Sequence, residues 1–188
     1  MMRKAHVILS LYALLGGIPA GAQATWNGLR FGMSAKEAKD LLAAKGAVMV
    51  AGDSLTLKSE SDYLLRLGED AKGFPLVLTL QFDAIGLKDI TLQLDIQRYK
   101  NEASFSPSTR DSIATWIFGS IIYDELLTKY GSPIKATGDC KATPIADSEL
   151  SGCEINWRGD SQMITLDAAY SAPYNAALIE YKRSSDVL

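Results

Sequence analysis

Two stretches in the middle of the chain alternate between apolar and polar residues with a period of two. Residues 75–83 set Leu76, Leu78, Leu80 and Phe82 on one side and Val77, Thr79 and Gln81 on the other. Residues 87–97 set Ile90, Leu92, Leu94 and Ile96 opposite Thr91, Gln93, Asp95 and Gln97. Such alternation predicts strands with one buried and one wet face, and the short Ala84-Ile85-Gly86 connection predicts an antiparallel hairpin. Shorter strand patterns lie at 47–51, 55–58 and 63–67, with a turn at 69–74. Alternation returns at 153–158, 162–169 and 176–182, and a further strand is expected at 135–140.

Two segments change to helical spacing. Ser34-Ala35-Lys36-Glu37 is a capping box, in which serine and glutamate satisfy each other's backbone amides. Ala38, Leu41 and Leu42 then share a face and Gly46 is placed to stop the helix, so one is predicted over 34–45. A longer helix is expected from a cap at Ser108 or Thr109 to Tyr130. Its apolar face would comprise Ile113, Trp116, Ile117, Ile121, Leu126 and Leu127, and Gly131 and Pro133 would end it. Residues 98–109 are polar and irregular and read as a linker. The predicted class is therefore α+β, with helices packed on an antiparallel sheet. Residues 25–97 and 110–188 read as two helix-plus-strands halves, and the recurring order suggests tandem repeats.

The amino terminus has another character. Arg3 and Lys4 precede an apolar run from Val7 to Leu15, and Ala22-Gln23-Ala24 supplies a small-x-small site. That order is the signature of a cleavable secretory signal over residues 1–24, giving a mature chain that starts at Thr25. The apolar run is too short to span a bilayer. The expected location is periplasmic or secreted.

Removal of the signal leaves 17 basic against 22 acidic residues, a net charge of −5. A mildly acidic chain without a basic cluster is poorly suited to nucleic acid. The only histidine, His6, falls in the signal. The mature chain thus lacks the Ser-His-Asp and Cys-His devices and any histidine-ligated zinc site. Cys140 and Cys153 are the only cysteines, and in an oxidising compartment they are expected to form a disulfide rather than a redox pair.

The segment Gly28-Leu29-Arg30-Phe31-Gly32-Met33-Ser34-Ala35-Lys36-Glu37-Ala38 resembles the Gly-Met-Ser-x-x-Glu helix start of small exported BamE/SmpA-like lipoproteins. These are related in fold to the beta-lactamase-inhibitor-protein repeat. Lys129-Tyr130-Gly131-Ser132-Pro133 resembles a closing pattern of such domains. The resemblance implies a helical segment on an antiparallel sheet, sometimes in tandem, and binding of other proteins without catalysis. The chain departs from that group in lacking a lipid-anchoring cysteine and a second short helix after Gly46.

Candidate chemistry is sparse. Ser132 and Lys135 match a Ser-x-x-Lys spacing, but the serine follows a helix end and a proline intervenes. Paired carboxylates could act without histidine; the acids to consider are Asp83, Asp89, Asp95, Asp124, Glu125, Asp167 and Glu180. Asp89 and Asp95 fall on one face of the same expected strand, about 20 Å apart and too far to act together. Solvated charge on the wet face is the expected role of these acids. Tyr99 and Phe105 in the linker, and Tyr174 in the 171–175 loop, have no periodic reason to be buried and are candidate interface anchors. The functional expectation is an exported, non-enzymatic binding or accessory protein. It would have no cofactor, and its partner would be another envelope protein. The alternative is a carboxylate-based envelope hydrolase.

Overall fold

The alternating segments assemble into one antiparallel sheet. The computed structural model describes residues 26–50, 55–59, 74–102, 111–143, 152–170 and 175–184. In chain order the elements are α1 (Ala35–Ala43), β1 (Val48–Val50), β2 (Leu55–Ser59), β3 (Leu76–Asp83), β4 (Gly86–Leu94) and α2 (Ile96–Glu102). They continue with α3 (Asp111–Tyr130), β5 (Lys135–Gly138), β6 (Gly152–Arg158), β7 (Gln162–Ala169) and β8 (Ala176–Arg183). The sheet has eight strands in the order β1-β2-β3-β4-β8-β7-β6-β5. Its centre is the β4–β8 seam, where Asp89 faces Lys182, Thr91 faces Glu180 and Gln93 faces Leu178. The fold is α+β, and no described helix is long and apolar enough to cross a membrane.

The inward face is a continuous apolar layer. Leu78, Leu80, Leu87, Ile90, Leu92, Trp157, Ile164, Leu166, Ile179 and Tyr181 are all buried in a single cluster. Ala38 and Leu42 of α1, and Phe118, Ile122 and Leu126 of α3, join that cluster. The capping box that opens α1 is present, with Glu37 N–H donating to Ser34 Oγ and Ser34 N–H to Glu37 Oε2. Cys140 and Cys153 form a disulfide between the turn after β5 and the start of β6. For a loop of this length the bridge contributes about 3 kcal/mol in the chain-entropy picture.

Four expectations are corrected by the fold. The stretch read as an irregular linker over 98–109 begins inside a helix, α2, and residues 103–110 lie outside the described ones. Asp95 does not extend the strand to Gln97. Its carboxylate accepts from the Arg98 amide and its carbonyl from the Tyr99 amide, which starts α2. The buried stripe of α3 is Ala114, Thr115, Phe118, Gly119, Ile122 and Leu126; of the expected face Leu126 is buried, Trp116 and Ile121 pack partly against the core, and Ile113 is exposed. Small residues win there because they let the helix approach closely. The Cα of Gly119 faces Tyr170 and Ala168, and an added Cβ would meet the Tyr170 hydroxyl at 2.7 Å. Fourth, β4 carries an extra residue. Gln81 pairs with Asp89 but Phe82 pairs with Leu87, so Lys88 is bulged and the inward parity shifts from even numbers to Leu87. The strand expected at 63–67, the turn at 69–74 except Phe74, and the segment 1–24 lie outside the described residues.

Candidate functional site

Each central strand brings one carboxylate to the outward face, and the strand order makes them neighbours. On β8 the outward positions run Leu178, Glu180, Lys182. Asp89 of β4 lies opposite Lys182, and Asp167 of β7 lies opposite Leu178. Asp89, Glu180 and Asp167 therefore form a diagonal across β4, β8 and β7, each step being one strand sideways and two residues along. Diagonal neighbours of this kind are about 7–8 Å apart between Cα atoms. Around the diagonal the face is polar. Thr165 donates to Asn156, Asn156 donates to Glu154, and Lys135 reaches the same Glu154 oxygen at 3.2 Å.

Asp89 is the unusual member. It is only 6% exposed, although it stands on the outward face. Its Oδ1 is buried without a hydrogen-bond partner among the described residues. It lines a shallow pocket of about 410 Å³ with Gln81, Asp83, Lys88, Glu180 and Lys182. Burial, reinforced by the negative charge of Glu180, pushes its carboxyl up to about 6, against the opposing pull of Lys182 and Lys88. The two lysines leave the orphan oxygen unserved: Lys182 is held by Glu180 at 2.7 Å. Asp83 is engaged elsewhere, accepting from the Ile85 and Gly86 amides and from Arg183 at 2.5 Å. Asp167 is also raised, by desolvation first and then by Glu154 and Glu180.

The expectation that these acids are simply solvated is corrected for Asp89, which a two-residue alternation places outward but which its neighbours cover. A buried carboxylate with a raised titration point costs stability once ionised. The folded chain holds the Asp89 proton up to about pH 6, whereas the unfolded chain releases it near 4. Stability therefore declines as pH rises through that window and stays reduced above it. Asp89→Asn keeps the shape and removes the charge. It is expected to stabilise the chain by about 1–2 kcal/mol at pH 7.5, with the gain fading as the pH falls toward 4. Thermal melts of both proteins across that range measure this; a pH-independent difference would contradict it.

The other expected site residues are dispersed. Tyr99 is half-buried at the start of the expected linker, its ring 4.8 Å from Phe74 at the edge of the core. Phe105 and Tyr174 lie outside the described residues. Ser132 and Lys135 are both exposed and do not meet; Lys135 pairs with Glu154. Asp124 pairs with Lys141 at 2.6 Å. No group of three or more histidine, cysteine or carboxylate side chains among the described residues is arranged to hold a metal ion.

Comparison with family models, curated proteins and solved structures finds no match.

The acidic diagonal was hidden from the sequence for a definite reason. Alternation shows that Asp89, Glu180 and Asp167 share the outward face of their strands, but only the β4–β8 pairing makes two segments about 90 residues apart adjacent.

Proposed function

We propose that the chain is an exported, non-enzymatic binding or accessory protein of the cell envelope that recognises another envelope protein. The observation that carries this reading is the outward face of the sheet. It is a broad polar surface with a partly compensated acidic centre and a shallow open pocket, a shape suited to contact rather than to enclosing a substrate. The amino-terminal signal pattern and the buried Cys140–Cys153 bridge support export, since such bridges persist in oxidising compartments. The chain order supports tandem repeats: a helix followed by a four-strand meander occurs twice, and the two meanders meet through their last strands. That arrangement agrees with the resemblance to BamE/SmpA-like and beta-lactamase-inhibitor-protein-like domains.

One observation favours a second reading, a carboxylate-based envelope hydrolase. Asp89 has a raised carboxyl in a pocket beside Glu180, and perturbed acids gather at catalytic sites. Against it, Asp89 is covered by its neighbours and only 6% exposed, whereas a glycosidase pair flanks the bond to be cut, about 5–9.5 Å apart. Glu180 is also ion-paired to Lys182.

The experiment is affinity capture by the tagged mature chain from envelope extract, run beside hydrolysis assays on envelope polysaccharide and peptide. A stoichiometric protein partner, with no hydrolysis above the buffer rate, is expected. Turnover that disappears in Asp89→Asn would replace the binding reading with the hydrolase.

A further inference from the structure

Three features of the molecule stand outside the general binding reading. The hollow lined by Lys129, Tyr130, Arg158, Asp160, Ser161 and Gln162 mixes both charges at the carboxyl end of α3 and selects no ligand. The edge strand β5 is short and fully exposed, with nothing to say what would pair with it. The acidic diagonal carries further.

We propose that the diagonal Asp89–Glu180–Asp167 receives an extended basic segment of a partner protein, with cationic side chains at alternate positions. This rests on the binding reading above and names the chemistry of the partner. Three observations support it. First, the charge on this line is only partly answered from within. Glu180 has Lys182, and Glu154, beside the line, has Lys135, while among the described residues no ion pair reaches Asp89 or Asp167. Second, Asp89 lines the pocket at one end of the line, 94% buried, with Oδ1 lacking a donor despite two lysines in the same pocket. A buried acceptor without a donor is costly, and a guanidinium or ammonium from outside would supply one. Third, the spacing fits. Alternate side chains of an extended peptide recur about every 6.6–6.8 Å, close to the roughly 7–8 Å steps of the diagonal. The covering groups can give way: Lys182 is 43% exposed, and its ion pair with Glu180 is of the weak surface kind, so an incoming cation can displace it.

The charged groups that set the pH response are all on the face. Asp89 meets Lys88 on its own strand, Glu180 and Lys182 on β8, and Asp83 across the pocket, itself tied to Arg183. Asp167 meets Glu154 on β6 and Glu180 on β8. As Asp89 takes up its proton below about pH 6, the acceptor loses its charge and a bound cation loses its partner.

The test is isothermal titration of the full mature chain with acetyl-Arg-Ser-Arg-Ser-Arg-amide at pH 7.5 and low salt. Saturable binding is expected, weakened by salt and by lowering the pH to 5, and absent with the peptide carrying glutamate for arginine. Asp89→Asn and Asp167→Asn are each expected to weaken it about tenfold. Melting curves verify folding, and the exposed Asp167 supplies a variant free of any core effect. The inference is overturned by no binding, by equal binding of the glutamate peptide, by an unimpaired double variant, or by spermidine binding as tightly as the peptide. A chain that hydrolyses envelope polymer yet binds the arginine peptide through the two aspartates keeps this inference and loses the non-enzymatic reading. A chain that captures an envelope partner equally well with the double variant keeps that reading and loses this inference.

Discussion

Gly86→Ala is expected to destabilise the chain by about 3–5 kcal/mol, lowering the melting temperature by 10 °C or more. Gly86 opens β4 with φ +121°, a conformation that side chains rarely adopt. An added Cβ would lie 2.4 Å from the Gly32 carbonyl oxygen and 2.5 Å from its carbon. Those atoms cannot step aside cheaply, because they are backbone and are tied to the same strand. Gly32 N–H donates to the Leu87 carbonyl at 2.9 Å, and Leu87 N–H donates to the Met33 carbonyl at 2.8 Å. The segment leading into α1 is thereby pinned to the tip of the β3–β4 hairpin. The control is Gly131→Ala after α3, where φ is +75° but a Cβ would meet nothing within 4 Å. Only the conformational cost of about 1–2 kcal/mol is expected there. Urea unfolding of both variants separates the steric part from the conformational part. Equal losses would mean that the hairpin tip and the Gly32 segment are not held together as described.

The same hairpin shows what a sequence can and cannot say about this fold. Alternation of Leu76, Leu78 and Leu80 against Val77, Thr79 and Gln81 is a local property, and β3 follows it. The capping box of Ser34 and Glu37 is local too, and the disulfide was the one pairing open to two cysteines. Most of what failed depends on partners distant in the chain. The bulge at Lys88 is defined only by the strand opposite it, yet it decides that Leu87 points inward. Which face of α3 is buried is decided by the closeness of Tyr170 and Ala168, which rewards Gly119 over the larger apolar face. For Asp95, a side chain able to bond its own backbone three residues on favoured a helix start over strand continuation. Of the candidate interface residues, Phe105 and Tyr174 lie outside the described residues and Tyr99 is half-buried. Aromatic residues in polar connections are a compositional signal, and Tyr99 has a neighbour, Phe74, that composition cannot supply. The acidic diagonal has no compositional signal at all.

Trp157→Ala is expected to cost about 3–5 kcal/mol while leaving the outward face intact. Trp157 is fully buried on the inward face of β6, its ring 6.0 Å from that of Tyr123 on α3. Its indole N–H donates to the Gly131 carbonyl at 3.0 Å, which ties the end of α3 to the sheet. Alanine removes both the volume and the donor. Trp157→Phe keeps most of the ring and removes the donor alone, so a loss of about 1–2 kcal/mol is expected. Asn156 and Arg158, the flanking residues, point the other way, as do Asp167 and Glu180 on the next two strands. The sheet thus separates two kinds of consequence. Trp157→Phe should lower the unfolding midpoint and leave arginine-peptide affinity unchanged. Asp167→Asn should leave the midpoint within about 0.5 kcal/mol and weaken the peptide. Denaturation and titration on the same two samples measure both. If Trp157→Phe also weakened the peptide, the outward face would be a property of the core's rigidity and not of its carboxylates.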